Sequence, residues 1–440
     1  MVEQEPTAES GDGRNNLTGR TLWIPRMSYG GAKTFAAAFR SIGIEAYECP
    51  EADVRAMELG SRVTSGEECY PEMVTLGTFL RLAEGESFDP SRHAFFMPTA
   101  GGPCRFGQYA PFVKKILVDE GLDDIYVLSP TSKDGYKELG GSAGELMRSA
   151  WRALVISDLL RKFLHKTRPY ETTRGDADQA HEDSLNDVCG VLEKPGLTPK
   201  AKLAELVQAM TRCRDRFRAV PADYSEPRPL IGVVGEIFCR LNTFSNENLI
   251  RWIEAGGGEA WLSDITEWVW YTNFETFKRL RKARRQLSLD MLGAVVKNKI
   301  QHRDEHAILR VMEEDLTGYD EPASIKTVLD YAMPYLPHYG ALGEMVLSVG
   351  KAIYLYHKGA DGIVDISPFT CMNGITCEAV YPKVSQDHDN IPIKNFFFDG
   401  TQKDLDTAVG IFLELARTYG RRKDKPRTLP AYFGVSVPAR

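Results

Sequence analysis

The chain has 440 residues, with 54 lysines and arginines against 61 aspartates and glutamates, so its formal net charge is 54 − 61 = −7. This negative charge argues against nucleic acid or an anionic membrane surface as a partner, and no apolar run reaches membrane-spanning length. Hydrophobic residues make up 43%, an ordinary proportion for a globular protein long enough for two or three domains. Residues 1–16 are polar and lack an apolar core, so we expect a disordered tail and not a secretory signal.

Short apolar runs alternate with helical patterns in the first 140 residues. The predicted strands are 21–25, 44–47, 94–97 and 125–128. The predicted helices are 32–42, 73–82 and 112–118. This β/α alternation predicts a parallel sheet. Residues 30–34 have a faint similarity to a phosphate-binding P-loop, but Met27 and Ala32 stand where that motif requires glycine, so we assign no nucleotide to this chain.

A long helical region follows, and then the β/α alternation returns. Helices are predicted over 146–164 and 200–217, with a polar, charged segment at 165–187 between them. The later predicted strands are 230–234, 260–262, 362–366 and 391–399. The later predicted helices include 246–255, 325–357 and 403–416. The pattern predicts an α/β fold in which two doubly wound parallel-sheet domains are joined by a helical insertion; the resemblance described below implies that these domains are flavodoxin- or Rossmann-like.

The resulting division of the chain has five parts. They are a disordered tail (1–16), an N-terminal α/β domain (17–140), a helical bridge (141–228), a C-terminal α/β domain (229–420) and a basic tail (421–440).

The chain has eight cysteines, and no two of them form a C-x-x-C pair. This absence argues against zinc ribbons and thioredoxin chemistry, and the closely spaced cysteines of ferredoxins are also missing. Without a secretory signal, a disulfide framework is not expected either. The cysteines are therefore core residues, reactive thiols or metal ligands.

Cys104 lies in the segment around which we expect the domain to be organised, residues 97–109. It follows Gly101, Gly102 and Pro103 at the tip of a turn, directly before a predicted helix. Free N–H groups and the helix dipole favour a thiolate at such a position. A buried structural cysteine in a tight turn is the alternative.

Cys69 and Cys371 have the same surroundings as Cys104, since each stands near the start of a predicted helix. Widely spaced cysteines that the fold brings together can bind an iron–sulfur cluster, and three ligands leave one iron with an open position. Cys377 and Cys239 are further candidates for ligands. The other three cysteines have no comparable surroundings and are predicted to be ordinary thiols.

Charged residues near these positions are candidates for roles in the site. Glu236 and Arg240 follow a predicted strand end and are candidate cavity residues, although a surface ion pair or a turn contact explains them equally well. Arg105, next to Cys104, is a candidate for offsetting cluster charge or contacting a partner.

Several of these segments resemble the superfamily of the 2-hydroxyacyl-CoA dehydratase D-component, which includes 2-hydroxyglutaryl-CoA dehydratase-like and double-cubane cluster proteins. The segments that carry the resemblance are SGEECYP (65–71), FMP (96–98), GPCRFGQY (102–109), RPYE (168–171), GEI (235–237), LN (241–242), SN (245–246) and PFTCM (368–372). It extends from about residue 21 to residue 416.

The resemblance implies flavodoxin-like domains around a [4Fe-4S] cluster bound by Cys69, Cys104 and Cys371. It also implies an ATP-dependent activase as electron donor, and a homologous cluster-binding subunit or a second copy of the chain as partner. In dehydratases the delivered electron produces a ketyl radical from a 2-hydroxyacyl-CoA, and water leaves. In a related branch a double-cubane [8Fe-9S] cluster reduces small molecules and needs further cysteines.

Three hypotheses follow for an anaerobic, oxygen-sensitive cytoplasmic protein. It is the iron–sulfur subunit of a dehydratase-like enzyme, a double-cubane reductase, or a non-catalytic electron-transfer or scaffold subunit. An acyl-CoA is the candidate substrate under the first hypothesis, and whether this chain itself is the enzyme stays open.

Overall fold

Two four-stranded parallel sheets form the framework of the computed structural model, which describes residues 16–100, 104–131, 136–401 and 404–433. Every pair of neighbouring strands is parallel. The α/β class and the two parallel sheets predicted from the sequence are therefore confirmed. The expected tail over residues 1–15 and the turn at Gly101, Gly102 and Pro103 lie outside the described residues.

The first sheet has the strand order β2-β1-β3-β4. Its strands are β1 (Thr21–Ile24), β2 (Ala46–Glu48), β3 (His93–Phe96) and β4 (Tyr126–Leu128). The helices of this domain are α1 (Tyr29–Arg40), α2 (Val54–Val63), α3 (Tyr70–Ala83) and α4 (Tyr109–Asp119). Central β1 pairs Leu22 with Ala46 on one side and with Ala94 on the other, and all three side chains are fully buried.

Three helices, α5 (Ala143–Thr167), α6 (Asp176–Leu192) and α7 (Pro199–Arg218), form the bridge. The polar segment predicted at 165–187 largely becomes α6. The buried side chains of Ala177, Leu185 and Val188 hold this helix to the bundle. Its many charged residues hid the apolar face from the sequence analysis.

The second sheet repeats the order of the first, as β6-β5-β7-β8. Its strands are β5 (Leu230–Gly235), β6 (Glu259–Leu262), β7 (Gly362–Pro368) and β8 (Ile393–Phe398). Its helices are α8 (Ile237–Leu241), α9 (Leu249–Ala255), α10 (Ile265–Lys282), α11 (Leu289–Leu309), α12 (Ile325–Ala332), α13 (Glu344–His357), α14 (Met372–Asp387) and α15 (Leu405–Gly420). Strands β5 and β7 are buried along their whole length, as parallel strands between helical layers must be.

Two expectations for the second domain need correction. The single helix predicted over 325–357 is two helices, α12 and α13, because Pro334 and Pro337 lie between them and lack the N–H that a continuous helix requires. The basic tail from residue 421, which the sequence analysis took to be flexible or to lie on a partner, is packed onto the domain as far as residue 433. Arg427 pairs with the buried Glu259 at 2.7 Å, and Phe433 is 1% exposed.

The two domains share a hydrophobic interface. Ala56 and Val74, on α2 and α3, belong to the same buried cluster as Leu262 and Phe398 of the second sheet. At the carboxyl ends of the strands, the Asn242 side chain donates a 2.7 Å hydrogen bond to the Arg26 carbonyl, which follows β1. Among the described residues, no helix is long and apolar enough to cross a lipid bilayer.

Candidate metal centre between the two sheets

Cys69, Cys104 and Cys371 each occupy the residue immediately before a helix. Cys69 precedes α3, Cys371 precedes α14, and Cys104 precedes a 3₁₀ turn (Arg105–Gln108) that leads into α4. All three have extended backbone dihedrals, and none of the three sulfurs serves as a capping hydrogen-bond acceptor. The thiols are thus at the positive ends of helix dipoles and available to a ligand.

The strand order explains why Cys371 and Glu236 meet. Strand β5 has β6 on one side and β7 on the other, so the connections leaving β5 and β7 diverge at their carboxyl ends and form a crevice. Glu236 directly follows β5, and Cys371 comes three residues after β7. The N–H of Glu236 donates a 2.9 Å hydrogen bond to the Ile366 carbonyl of β7, which holds the two exits together.

Backbone conformations that are unusual for their residue types flank this crevice. Gly235 has φ +117°, and a Cβ there would lie 2.1 Å from the carbonyl oxygen of Ile366. Thr370, next to Cys371, has φ +66°, a conformation that costs a β-branched residue about 1–2 kcal/mol. Strain of this kind is commonly retained where it positions a functional group, and here it directs the chain into Cys371.

The Glu236 carboxylate is close enough to all three thiols for its charge to influence each of them. Burial raises the pKa of Cys69, and the charges of Glu236 and Cys371 raise it further. Burial also raises the pKa of Cys104 and that of Cys371, the latter to about 12, and Glu236 and Glu344 add to both shifts. The charge of Glu236, in the second domain, therefore acts on thiols of both domains.

The half-buried Glu236 and the buried Glu344 form an acidic pair beside the crevice. The two oxygens of Glu236 accept hydrogen bonds from the N–H groups of Phe238, at 2.9 Å, and Cys239, at 2.7 Å. Glu344 accepts a 2.8 Å bond from the N–H of Ile237. Burial and the charge of Glu236 raise the pKa of Glu344 to about 8, while burial raises that of Glu236. Such a pair favours one shared proton or a nearby cation.

Cys69 has two neighbours of its own. Its Sγ lies 2.9 Å from the Tyr109 hydroxyl, which comes from the first residue of α4. Glu72, in the first turn of α3, is 4% exposed, and its Oε1 has no hydrogen-bond partner among the described residues. The pKa of Glu72 is raised to about 7. Burial is the main cause, the charge of Glu68 adds to the rise, and Arg105 opposes it.

Within the described ranges, no group of three or more His, Cys, Asp or Glu side chains is close enough to bind one metal ion. All eight cysteines are free. A cluster that takes one thiolate at each of several iron atoms accepts ligands that are further apart than those of a mononuclear site. Because the thiols are protonated at neutral pH when no metal is bound, metal binding must release protons.

The remaining predicted site residues differ in how near they come to this centre. Cys239 is fully buried, one turn after Glu236, and the charges of Cys69 and Cys371 raise its pKa after burial. Cys377 is buried between α13 and α14, where its thiol donates to the Met345 carbonyl at 3.5 Å. Cys239 is therefore the better-placed additional ligand.

The two predicted arginines also differ. Arg240 is 6% exposed and donates to the Gly235 carbonyl, while its Nε has no partner in the described part of the chain. It is therefore not in a surface ion pair, and its bond to Gly235 is the turn contact that the sequence analysis considered as an alternative. Arg105 is exposed beside Cys104 and lowers the pKa of that thiol.

Sequence reasoning missed three residues of the site: Tyr109, Glu72 and Glu344. Tyr109 and Glu72 lie within or beside the segments that carry the cysteines, so their proximity to Cys69 and Cys104 was the available signal. Glu344 had no such signal, because it was placed inside a long predicted helix that the structure divides.

Comparison with models of known protein families gives no match, and a search of curated proteins finds no significant relative.

Proposed function

We propose that this chain is the iron–sulfur subunit of a 2-hydroxyacyl-CoA dehydratase-like system, with a cluster bound by Cys69, Cys104 and Cys371. The observation that carries the proposal is that three cysteines at helix N-termini, from both domains, are all within the influence of the Glu236 charge. The strand order of both sheets, second-first-third-fourth, is also the order in which flavodoxin-like sheets begin.

The bound cluster supplies low-potential electron transfer to a substrate. The protein's own residues hold the three thiols at helix N-termini, where partial positive charge stabilises thiolates. The Tyr109 hydroxyl is placed to donate a hydrogen bond to the Cys69 sulfur once that thiol is deprotonated. The Glu236–Glu344 pair holds a proton beside the crevice, where a substrate that loses hydroxide as water requires one.

The surface around Cys371 suits a partner protein. Phe369, Met372 and Ile375 flank this cysteine and are 59%, 45% and 51% exposed. Exposed apolar side chains grouped around a candidate redox site are typical of a protein–protein contact. In the proposal the partners are an ATP-dependent activase and a homologous cluster-binding subunit or a second copy of the chain, in the cytoplasm of an anaerobic cell.

Iron and acid-labile sulfide in anaerobically purified protein test the proposal. About four iron atoms per chain are expected for one [4Fe-4S] cluster, and Cys69→Ser, Cys104→Ala and Cys371→Ser are each expected to lose most of them. Cys213→Ala is the matched control, because Cys213 is buried in α7, within the bridge. Absence of iron from the parent protein, or equal loss in the control, would contradict the cluster.

The alternative functions give different results in the same material. About eight iron atoms per chain, with loss in Cys239→Ala as well, would indicate the double-cubane [8Fe-9S] reductase. Four iron atoms whose spectrum is unchanged by a 2-hydroxyacyl-CoA would favour the electron-transfer or scaffold subunit. A spectral shift on adding the thioester favours the dehydratase.

A further inference from the structure

A cavity of about 340 Å³ lies between the bridge helices and the C-terminal segment. Its walls come from the carboxyl-terminal turns of α5 and α7, from residues 314–315 and from Tyr432. The nearby Glu259 is the first residue of β6, at the amino end of that strand, whereas Cys371 follows the carboxyl end of β7. The cavity therefore lies near the amino ends of the strands of the second sheet, whereas the proposed cluster lies near their carboxyl ends.

Lys166 and Arg218 are the two cations that line this cavity, and Lys166 is 4% exposed. Its Nζ donates a 2.8 Å hydrogen bond to the Tyr432 hydroxyl and lies 4.4 Å from the centre of the Phe163 ring. Among the described residues, no carboxylate forms a salt bridge with it. A buried ammonium group without an anionic partner is costly, and an anion brought by a ligand would relieve that cost.

The charges around Lys166 are consistent with its lack of a carboxylate partner among the described residues. Burial lowers the pKa of Lys166 to about 8; the more distant Asp315 and Glu259 raise it, and Arg218 lowers it. Arg218 itself is neutralised, since it forms a 2.8 Å ion pair with Asp315 and a 3.4 Å pair with Glu314. Of the two cations in this cavity, Lys166 is therefore the one without an ion-pair partner in the described part of the chain.

Aromatic rings form much of the remaining wall. Phe163 and Phe217 are buried with their ring centres 5.5 Å apart, and Tyr224 and Tyr432 face each other at 4.6 Å. Such walls favour a flat or branched apolar body, and a few charged groups placed among aromatic side chains are the usual arrangement of a small-molecule site.

We propose that this cavity binds a small organic carboxylate with an aromatic body, with its carboxylate paired to the Lys166 ammonium group. The ligand would be bound independently of the proposed cluster, because the two sites lie at opposite ends of the strands of the second sheet.

Isothermal titration calorimetry with 3-phenylpropionate, indole-3-acetate and benzoate tests the proposal, with 3-phenylpropionamide as the uncharged analogue. We expect at least one carboxylate to bind, and 3-phenylpropionate to bind roughly tenfold or more tightly than its amide. Lys166→Met should abolish this preference. Lys194→Met, which removes an exposed lysine paired with Glu205, should retain it.

Thermal unfolding separates a binding role from a structural one. Lys166→Met is expected to melt at the temperature of the parent protein or above it, because a methionine of similar length removes an unpaired buried charge. The carboxylates should raise the melting temperature of the parent protein alone. Binding of no carboxylate, equal binding by Lys166→Met, or equal binding of inorganic phosphate would each overturn the proposal.

Discussion

The Sγ of Cys69 and the hydroxyl of Tyr109 lie 2.9 Å apart, although 40 residues separate them in the chain. Cys69 caps α3, and Tyr109 begins α4, the helix that follows Cys104. The contact therefore joins the two cysteine-bearing segments of the first domain. It also gives the proposed cluster a hydrogen-bond donor, and such donors are among the groups that tune cluster potentials.

Tyr109→Phe removes that hydroxyl and leaves the ring packed against Phe106, 5.2 Å away. We expect the iron content to be retained and the reduction potential to become more negative, because a donor to a ligand sulfur stabilises the reduced, more negative cluster. The stability should fall by about 1 kcal/mol. An anaerobic redox titration with iron analysis measures both outcomes, and an unchanged potential would contradict the role given to Tyr109.

Gly235→Ala is expected to destabilise the protein by about 3 kcal/mol, because the new Cβ would meet the Ile366 carbonyl and φ is +117°. Gly190→Ala is the matched control. Gly190 is exposed in α6 with nothing within 4 Å of an added Cβ, so the change should stabilise by up to about 1 kcal/mol. Urea unfolding of the two variants gives both values, and similar results for both would exclude the steric explanation.

Lys351→Met tests a charge network in which Lys351 of α13 contacts Glu267 of α10 and Glu321. Lys351 is fully buried, pairs with Glu321, and lies 3.4 Å from Glu267. Removing it leaves buried carboxylates without this partner, so we expect a loss of about 3–5 kcal/mol. Lys326→Met breaks an exposed pair with Asp330 and should cost less than about 1 kcal/mol. Denaturant midpoints measure the difference, which should vanish if the network carries no stability.

Glu305 predicts a pH dependence of stability. The pKa of its carboxyl is raised to about 7. Burial is the main cause; the hydrogen bond from Trp270 opposes the rise, and the charges of Asp264, Glu321 and Asp158 add to it. Between about pH 4.5 and pH 7 the folded state therefore holds a proton that the unfolded state has lost. The contribution of Glu305 to stability falls as the pH rises through this window.

Glu305→Gln removes that dependence and keeps an acceptor for the Trp270 indole N–H, which is now 3.0 Å from Glu305. We expect the variant to be more stable than the parent by about 2 kcal/mol at pH 8 and nearly equal to it at pH 4. Unfolding curves at the two pH values give the comparison. A constant difference across the range would contradict the assignment.

Local sequence patterns were sufficient to find the strands, because each buried parallel strand is a short apolar run with turn residues after it. The runs at 21–25 and 230–234 and the structure's β1 and β5 agree closely. Helix starts also depend on neighbouring residues. The sequence therefore indicated that Cys69 and Cys371 lie near the starts of helices. Helix α6 was missed because its apolar positions are diluted by charge, and the break at Pro334 was overlooked.

The sequence by itself determined the α/β alternation and the candidate cysteines, since short-range periodicity and capping positions depend on neighbouring residues. Only the tertiary structure decided that Cys104 and Cys371, from different domains, approach the same carboxylate. It also decided that Glu344 lies near Glu236 and that Lys166 lines a cavity with no anionic partner among the described residues. These relationships depend on strand order and domain packing, which bring together residues more than a hundred positions apart and leave no local periodicity in the chain.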